Sequence, residues 1–345
     1  MAEAKVSKFK RPQEVDRGRI SARDLDLIEA ISRYRFSPTS ELVRLARGNE
    51  DVTHRRLRRL WEWQIINRFA FPKVGMGQHE FNYYLDNRQA LETLVEFGRL
   101  SEIHPSMLEE ISHNREKDYA GAALLGKHMQ LGFLKHQLQI SRMHFMLEMA
   151  AWKSGGHVAL KAWHQSSQLK TKVITPKLRT SQHPSGQRFW QETDEEERVP
   201  VEPDALFTLD FSGRLVHFAY EADRGTMPLG DMMRKLRGYY QLIKKHQGHK
   251  EAFGVHPLRA VLIEAPDEQR ALRLMEVASH PLVSGQGKRA GLFWFTISPQ
   301  FTDPKDGQKT ARYLDQPEVI LEKEWALPDF TKLSLEDVEN SGKTS

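Results

Sequence analysis

The sequence predicts an α+β protein, with an N-terminal winged helix-turn-helix followed by a larger α/β region. Three observations carry this. Three short segments of helical apolar spacing precede residue 64. Two β-rich runs around a Gly75-Met76-Gly77 turn follow them directly. Past residue 200, a second hairpin is followed by alternating helical and strand-like runs. A length of 345 residues fits two or three domains.

Residues 1–20 are polar and basic, with Pro12 and Gly18, and are expected to form a flexible arm. Residues 21–98 are the expected winged-helix domain. Ser21-Ala22-Arg23-Asp24 is a capping-box-like start, with Asp in place of the usual Glu or Gln. Leu25, Leu27, Ile28 and Ile31 carry the first helix to about Arg33. Ser37-Pro38 opens the second, with Leu42, Val43 and Leu45 as its apolar residues and Gly48 as its stop. The third is expected over Asp51–Trp63, capped by Asp51 and turning Leu57, Leu60 and Trp61 inward. Ile65–Pro72 and His79–Leu85 form the hairpin, and Asn87–Phe97 reads as a closing helix.

Residues 99–126, with Pro105 and the mixed-charge stretch Glu109–Asp118, are expected to form a linker. The second domain spans 127–327. Lys127–Lys153 reads as a long amphipathic helix stopped by Ser154-Gly155-Gly156, and His157–Trp163 as a strand. Thr175–Arg198, rich in Pro, Ser, Gln, Glu and Asp, is expected to be a flexible loop. Asp204–Phe211 and Leu215–Ala222 flank a Ser212-Gly213 turn as a hairpin. The helix Leu229–His246, the strand Leu258–Glu264, the helix Glu268–Ala278 and the strand Leu292–Ile297 follow. The polar tail 328–345 is expected to be disordered.

Composition narrows the function. No run of 18 apolar residues exists, so no membrane span is expected, and the N-terminus lacks the apolar core of a signal peptide. The absence of cysteine excludes disulfides, thiol nucleophiles and Cys-containing zinc sites, and fits a cytoplasmic protein. Residues 1–73 hold 17 Lys/Arg against 10 Asp/Glu, although the whole chain is only +5. Basicity is therefore concentrated on the winged-helix segment, as a phosphate-binding element requires.

The third helix carries Thr53, His54, Arg55, Arg56, Arg58 and Arg59. Arg55 and Arg59 are four apart and share a face. With the leucines and tryptophan turned inward, guanidinium groups can meet phosphates and guanine edges of double-stranded DNA. Lys73, Gln78 and His79 on the wing are placed to reach the flanking groove. The plainer reading is a solvated charged face on a protein-interaction module.

A second constellation lies in Pro203-Asp204 and Glu221-Ala222-Asp223-Arg224-Gly225-Thr226. Asp204 starts one strand and Glu221 ends its antiparallel partner, so pairing brings the carboxylates to one edge. Two hard oxygen donors there suit Mg²⁺ or Mn²⁺, which activates water and stabilises phosphate charge. Glu221 and Asp223, two apart on a strand, share a face. The alternative is a salt-bridged network of Glu221, Asp223 and Arg224 that only holds the hairpin to the next helix.

This arrangement resembles the PD-(D/E)xK nuclease superfamily, which implies a restriction-endonuclease-like α/β domain with Asp204 and Glu221 as metal ligands. The superfamily's lysine two residues after the glutamate is replaced here by Asp223. Three explanations stand: the basic role has moved to Lys235 on the next helix, Asp223 is a third metal ligand, or catalysis has been lost. Across about residues 21–300 the chain is similar to the replication-relaxation family of plasmid and mobile-element proteins. The resemblance rests on Pro203-Asp204, the Glu221–Thr226 segment, Lys235 with Tyr239, and a histidine, His136, in the long central helix. It implies a role in plasmid DNA replication, relaxation or transfer.

Catalytic candidates are thus Asp204, Glu221, Asp223 and Lys235, the first three also as metal ligands, in a Mg²⁺- or Mn²⁺-dependent nickase or endonuclease or its inactive descendant. If the long helix lies against the hairpin, His136 or Glu148 can approach Asp204, although a histidine on a mostly apolar helix is more often a packed, hydrogen-bonded residue than a ligand. The alternative is a non-enzymatic DNA-binding regulator or assembly factor that recruits replication or conjugation proteins. A transcription factor with a ligand-sensing C-terminal half ranks third. A homodimer is also in keeping with a winged helix. No glycine-rich phosphate loop is present, which argues against an NTPase.

Overall fold

A computed structural model describes residues 11, 18–71, 80–117, 119, 128–165, 169–183, 185, 188–245, 247–285, 287, 291–304 and 308–337. The chain divides into two compact units, Met1–Phe145 and Met146–Ser345. Helices and sheets occur in both, so the fold is mixed α and β. No helix among the described residues is long and apolar enough to cross a membrane.

The first unit opens with α1 (Ala22–Tyr34), which starts where the capping box was read. The Ser21 N–H donates to Asp24 Oδ2 at 2.7 Å, and the Asp24 N–H donates to Ser21 Oγ at 3.4 Å. Ser37-Pro38 does not begin the next helix but forms strand β1, and α2 (Thr39–Leu45) follows it. Helix α3 (Glu50–Glu62) is capped by Asn49, whose side chain accepts the Val52 N–H. Asp51, the expected cap, lies inside the first turn. Strands β2 (Asn67–Phe69) and β3 (Asn82–Tyr84) pair antiparallel, and β1 adds to the other side of β3. The expected wing tip lies outside the described residues.

One apolar core joins these helices to the sheet. Leu27, Ile28, Ile31, Leu57, Leu60, Trp61 and Ile66 are buried together, and Leu91 and Leu94 of α4 (Gln89–Glu96) join them. The expected linker 99–126 instead contains α5 (Pro105–Lys117). Ile111 of α5 is buried in that same core, and the Asn114 amide donates to the Leu85 carbonyl. Buried apolar and hydrogen-bonding positions recur three residues apart, so a charged-looking stretch folds as a helix. Helix α6 (His128–Lys153) matches the predicted long helix.

The second unit is built on a seven-stranded sheet. Strand β4 (Val158–His164) lies at one edge. Strands β5 (Thr171–Gln182) and β6 (Arg188–Val201) form a separate two-stranded ribbon. Strands β7 (Ala205–Phe211) and β8 (Arg214–Ala222) follow as a hairpin whose two-residue turn, Ser212-Gly213, has positive φ at both positions. Helix α7 (Leu229–Tyr240) ends in a π-turn, Gln241–Lys245. After α8 (His249–Phe253) come β9 (Leu258–Ala265), α9 (Glu268–Ala278) and β10 (Phe293–Ile297), with β9 parallel to both β8 and β10. Short strands β11 (Trp325–Ala326) and β12 (Lys332–Leu333) close the far edge. Central β9 is apolar almost throughout because both of its faces are covered.

Two expectations are corrected here. Thr175–Arg198 is not a loop but most of the β5–β6 ribbon. Val173, Leu178, Val199 and Val201 of the ribbon join the core under α7, while Ile174 and Phe189 are exposed. A half-buried strand needs only alternate apolar positions, so a polar composition conceals it. Residues 328–337 of the expected tail are ordered, since β12 pairs with β11 and Leu335 is fully buried, and the remainder lies outside the described residues.

Candidate functional site

The register of the β7–β8 hairpin builds the first half of the site. Ala205 lies opposite Tyr220, so Asp204 stands across from Glu221. The Asp204 N–H donates to the Tyr220 carbonyl at 3.0 Å, and the Ala222 N–H donates to Asp204 Oδ2 at 2.8 Å. Asp204 is thereby fixed at the mouth of the hairpin beside Glu221.

Helix α7 supplies the second half. Lys235 and Tyr239, one turn apart, face the same way. The Lys235 ammonium donates to Glu221 Oε2, and the Tyr239 hydroxyl donates to Glu221 Oε1. Lys235 reaches Glu221 from the following helix, 14 residues along the chain.

The electrostatics follow from burial. Glu221 is only 4% exposed, and desolvation pushes its carboxyl up to about 7. Lys235 pulls it back in part, and Asp204 adds to the rise. For Lys235, burial works against the charge, but Glu221, Asp204 and Glu202 together raise its pKa. Burial, and then Glu221, hold the Tyr239 phenol well above its ordinary range. Tyr239 is fully buried.

The other face of α7 holds the ribbon. Arg237, 1% exposed, donates to the Pro176 carbonyl and to Glu192 Oε1. Its neighbour Gly238 allows a close approach: a Cβ there would stand 2.9 Å from Val199 Cγ1 and 3.1 Å from Val201 Cγ2. The helix that delivers Lys235 and Tyr239 is thus clamped from behind by the segment expected to be a loop.

Asp223 does not join the cluster. The Arg270 fork of α9 takes both of its oxygens, with Nε to Oδ2 at 2.7 Å and a terminal nitrogen to Oδ1 at 3.1 Å. Its expected place as a third metal ligand is therefore occupied by a guanidinium. Arg270 escapes a reading of the sequence because its position, 47 residues downstream, carries no local signal. Among the described residues, no group of three or more His, Asp or Glu is disposed to hold a metal ion.

The candidate DNA-binding residues of α3 separate into two sets. His54, Arg55, Arg58 and Arg59 lie on the outer side of the helix. Arg58 pairs with Glu62 and His54 with Glu50, each within the helix. Thr53 and Arg56 face inward, contrary to expectation. Thr53 is 1% exposed and its hydroxyl donates to the Asn49 carbonyl. Arg56 grips the fully buried Asp24 carboxylate, the same group that caps α1. Lys73, Gln78 and His79 lie outside the described residues. His136 and Glu148 are both partly buried on α6.

Fold and site define a two-unit α and β chain, with an arginine-bearing helix in the first unit and a buried carboxylate–lysine–tyrosine cluster in the second. The replication-relaxation family model matches residues 28–258, so the chain belongs to the replication-relaxation family. No curated protein and no solved structure matches it.

Proposed function

We propose that this is a DNA-binding protein acting in the replication, relaxation or transfer of plasmid or mobile-element DNA. In this reading the first unit is a winged helix that binds the duplex through Arg55 and Arg59, with His54 and Arg58 beside them. The second unit carries a restriction-endonuclease-like site of Asp204, Glu221 and Lys235. The observation that carries the nuclease half is the meeting of Lys235 with Glu221 beside Asp204, from three consecutive elements of the chain. Membership of the replication-relaxation family supports the biological setting.

The donor set fits Mg²⁺ or Mn²⁺. Asp204 and Glu221 are adjacent hard carboxylates, and one or two carboxylates with water and substrate phosphate are a common shell for Mg²⁺. When bound, such an ion would supply an activated water and neutralise charge on the phosphodiester. The chain's own residues do the rest. Lys235 holds a fixed positive charge against the phosphate and the attacking oxygen, and Tyr239 orients the Glu221 carboxylate.

The test is nicking of supercoiled plasmid with Mg²⁺ or Mn²⁺. The wild-type chain should convert it to open circles, and Asp204→Ala and Lys235→Ala should each lose that conversion. Plasmid left supercoiled at every metal and protein concentration would reject the catalytic half of the reading. A non-enzymatic assembly factor is favoured by one specific observation: both Glu221 oxygens are already engaged by Lys235 and Tyr239. Wild-type plasmid maintenance by an Asp204→Ala/Glu221→Ala chain would select that second reading.

A further inference from the structure

The segment between β8 and α7 is pinned by a single side chain. Arg270 holds Asp223 at its start with two hydrogen bonds, and at its end donates to the Met227 carbonyl at 2.8 Å. The Asp223 N–H is also tied to the Glu264 carbonyl of β9. Between these anchors, Arg224, Gly225 and Thr226 are all exposed. The ion pair is buried, with side-chain exposures of 11% for Arg270 and 2% for Asp223. A buried pair gains little net stability over apolar residues of the same size. This one ties down both ends of a surface loop that begins two residues after Glu221.

We infer that this clamped loop is a second binding point for the nucleic-acid phosphate backbone, with Arg224 as the contacting group and Arg270 as its positioning residue. The inference rests on the nucleic-acid reading and extends it to the second unit. A guanidinium bonds phosphate oxygens in a planar fork, and it binds best when its backbone is already fixed. Arg224 meets both requirements: it is exposed, its loop is anchored at both ends by Arg270, and it follows Glu221 of the buried carboxylate–lysine cluster by three residues. Met227 and Leu229, three and five residues further on, are exposed apolar side chains that would offer a surface to sugars and bases.

The experiment titrates a short DNA duplex with the full chain across a series of salt concentrations. It compares wild type, Arg224→Gln, Arg224→Lys and the Arg55→Ala/Arg59→Ala pair. Arg224→Gln should weaken binding several-fold and lower the log–log salt slope by about 0.9, the value for one phosphate no longer neutralised. Arg224→Lys should keep the slope, because the charge remains. Arg224 is exposed, so folding is not at risk. A wild-type slope in Arg224→Gln, with the Arg55→Ala/Arg59→Ala slope reduced, overturns the role of the loop and leaves the α3 reading intact. No binding by the wild-type chain overturns both. For the clamp, Arg270→Gln should speed tryptic cleavage after Arg224, and an unchanged cleavage rate in a chain of native far-ultraviolet spectrum removes Arg270 from its role.

Discussion

Lys235 and Glu221 form a buried ion pair in which the helix residue reaches back to the end of the preceding strand. Because burial pushes Glu221 up to about 7, this pair gives folding a pH dependence. The folded chain holds a proton that the unfolded chain loses near the ordinary glutamate value. Stability from this group is therefore fully present below that value and is lost as pH rises through about 7. Urea unfolding should show ΔG falling between about pH 5 and pH 8 by up to about 3 kcal/mol on this account. Glu221→Gln should flatten that fall. An identical pH profile in Glu221→Gln would mean that the carboxyl is not perturbed.

Arg56 and its neighbours on α3 should behave oppositely in stability and in binding. Removing Arg56 leaves the Asp24 charge fully buried without its guanidinium, so Arg56→Ala should cost about 3–5 kcal/mol in denaturant unfolding. Arg55→Ala and Arg59→Ala, both at exposed positions, should each change stability by less than about 0.5 kcal/mol. Equal destabilisation by all three would contradict the inward and outward split of the helix.

The same exposed pair tests the nucleic-acid reading directly. Arg55→Ala/Arg59→Ala should lower the log–log salt slope of duplex binding by about 0.9 for each phosphate that the two arginines neutralise. Arg58→Ala should have a smaller effect, because its guanidinium is already paired with Glu62. Fluorescence anisotropy with one duplex at several salt concentrations reads both.

How much of this was legible in the sequence depended on the range of the interactions. Local signals sufficed for the Ser21/Asp24 capping box, the Ser212-Gly213 turn and the helix Glu268–Ala278, which stand where the residues placed them. The register that sets Asp204 across from Glu221 was likewise readable, because the two-residue turn fixes it. Long-range pairings were not. Nothing near Asp223 announces Arg270, and nothing near Arg56 announces Asp24, since each partner comes from a separate helix. The ribbon was hidden for another reason. Its acidic run, Asp194-Glu195-Glu196-Glu197, looks like solvent-swollen chain, yet Lys177 pairs with Glu195 across the strands and Val199 packs beneath α7.

Gly238 tests the docking of that ribbon, and two effects of opposite sign decide the outcome. In an ordinary helix interior, glycine to alanine stabilises by about 1 kcal/mol. Here the new Cβ would meet the γ-methyls of Val199 and Val201 at 2.9 Å and 3.1 Å, and both are β-branched side chains with little freedom to turn away. Overpacking of this kind costs about 1–3 kcal/mol, so the clash outweighs the helical gain and Gly238→Ala should lower the melting temperature. Combining it with Val199→Ala, which opens space at the nearer methyl, should cost less than the sum of the two single changes, and thermal melts of the four chains measure that coupling. A Gly238→Ala chain that melts above the wild type would mean that the ribbon stands off the helix, and that Lys235 and Tyr239 are held in place without it.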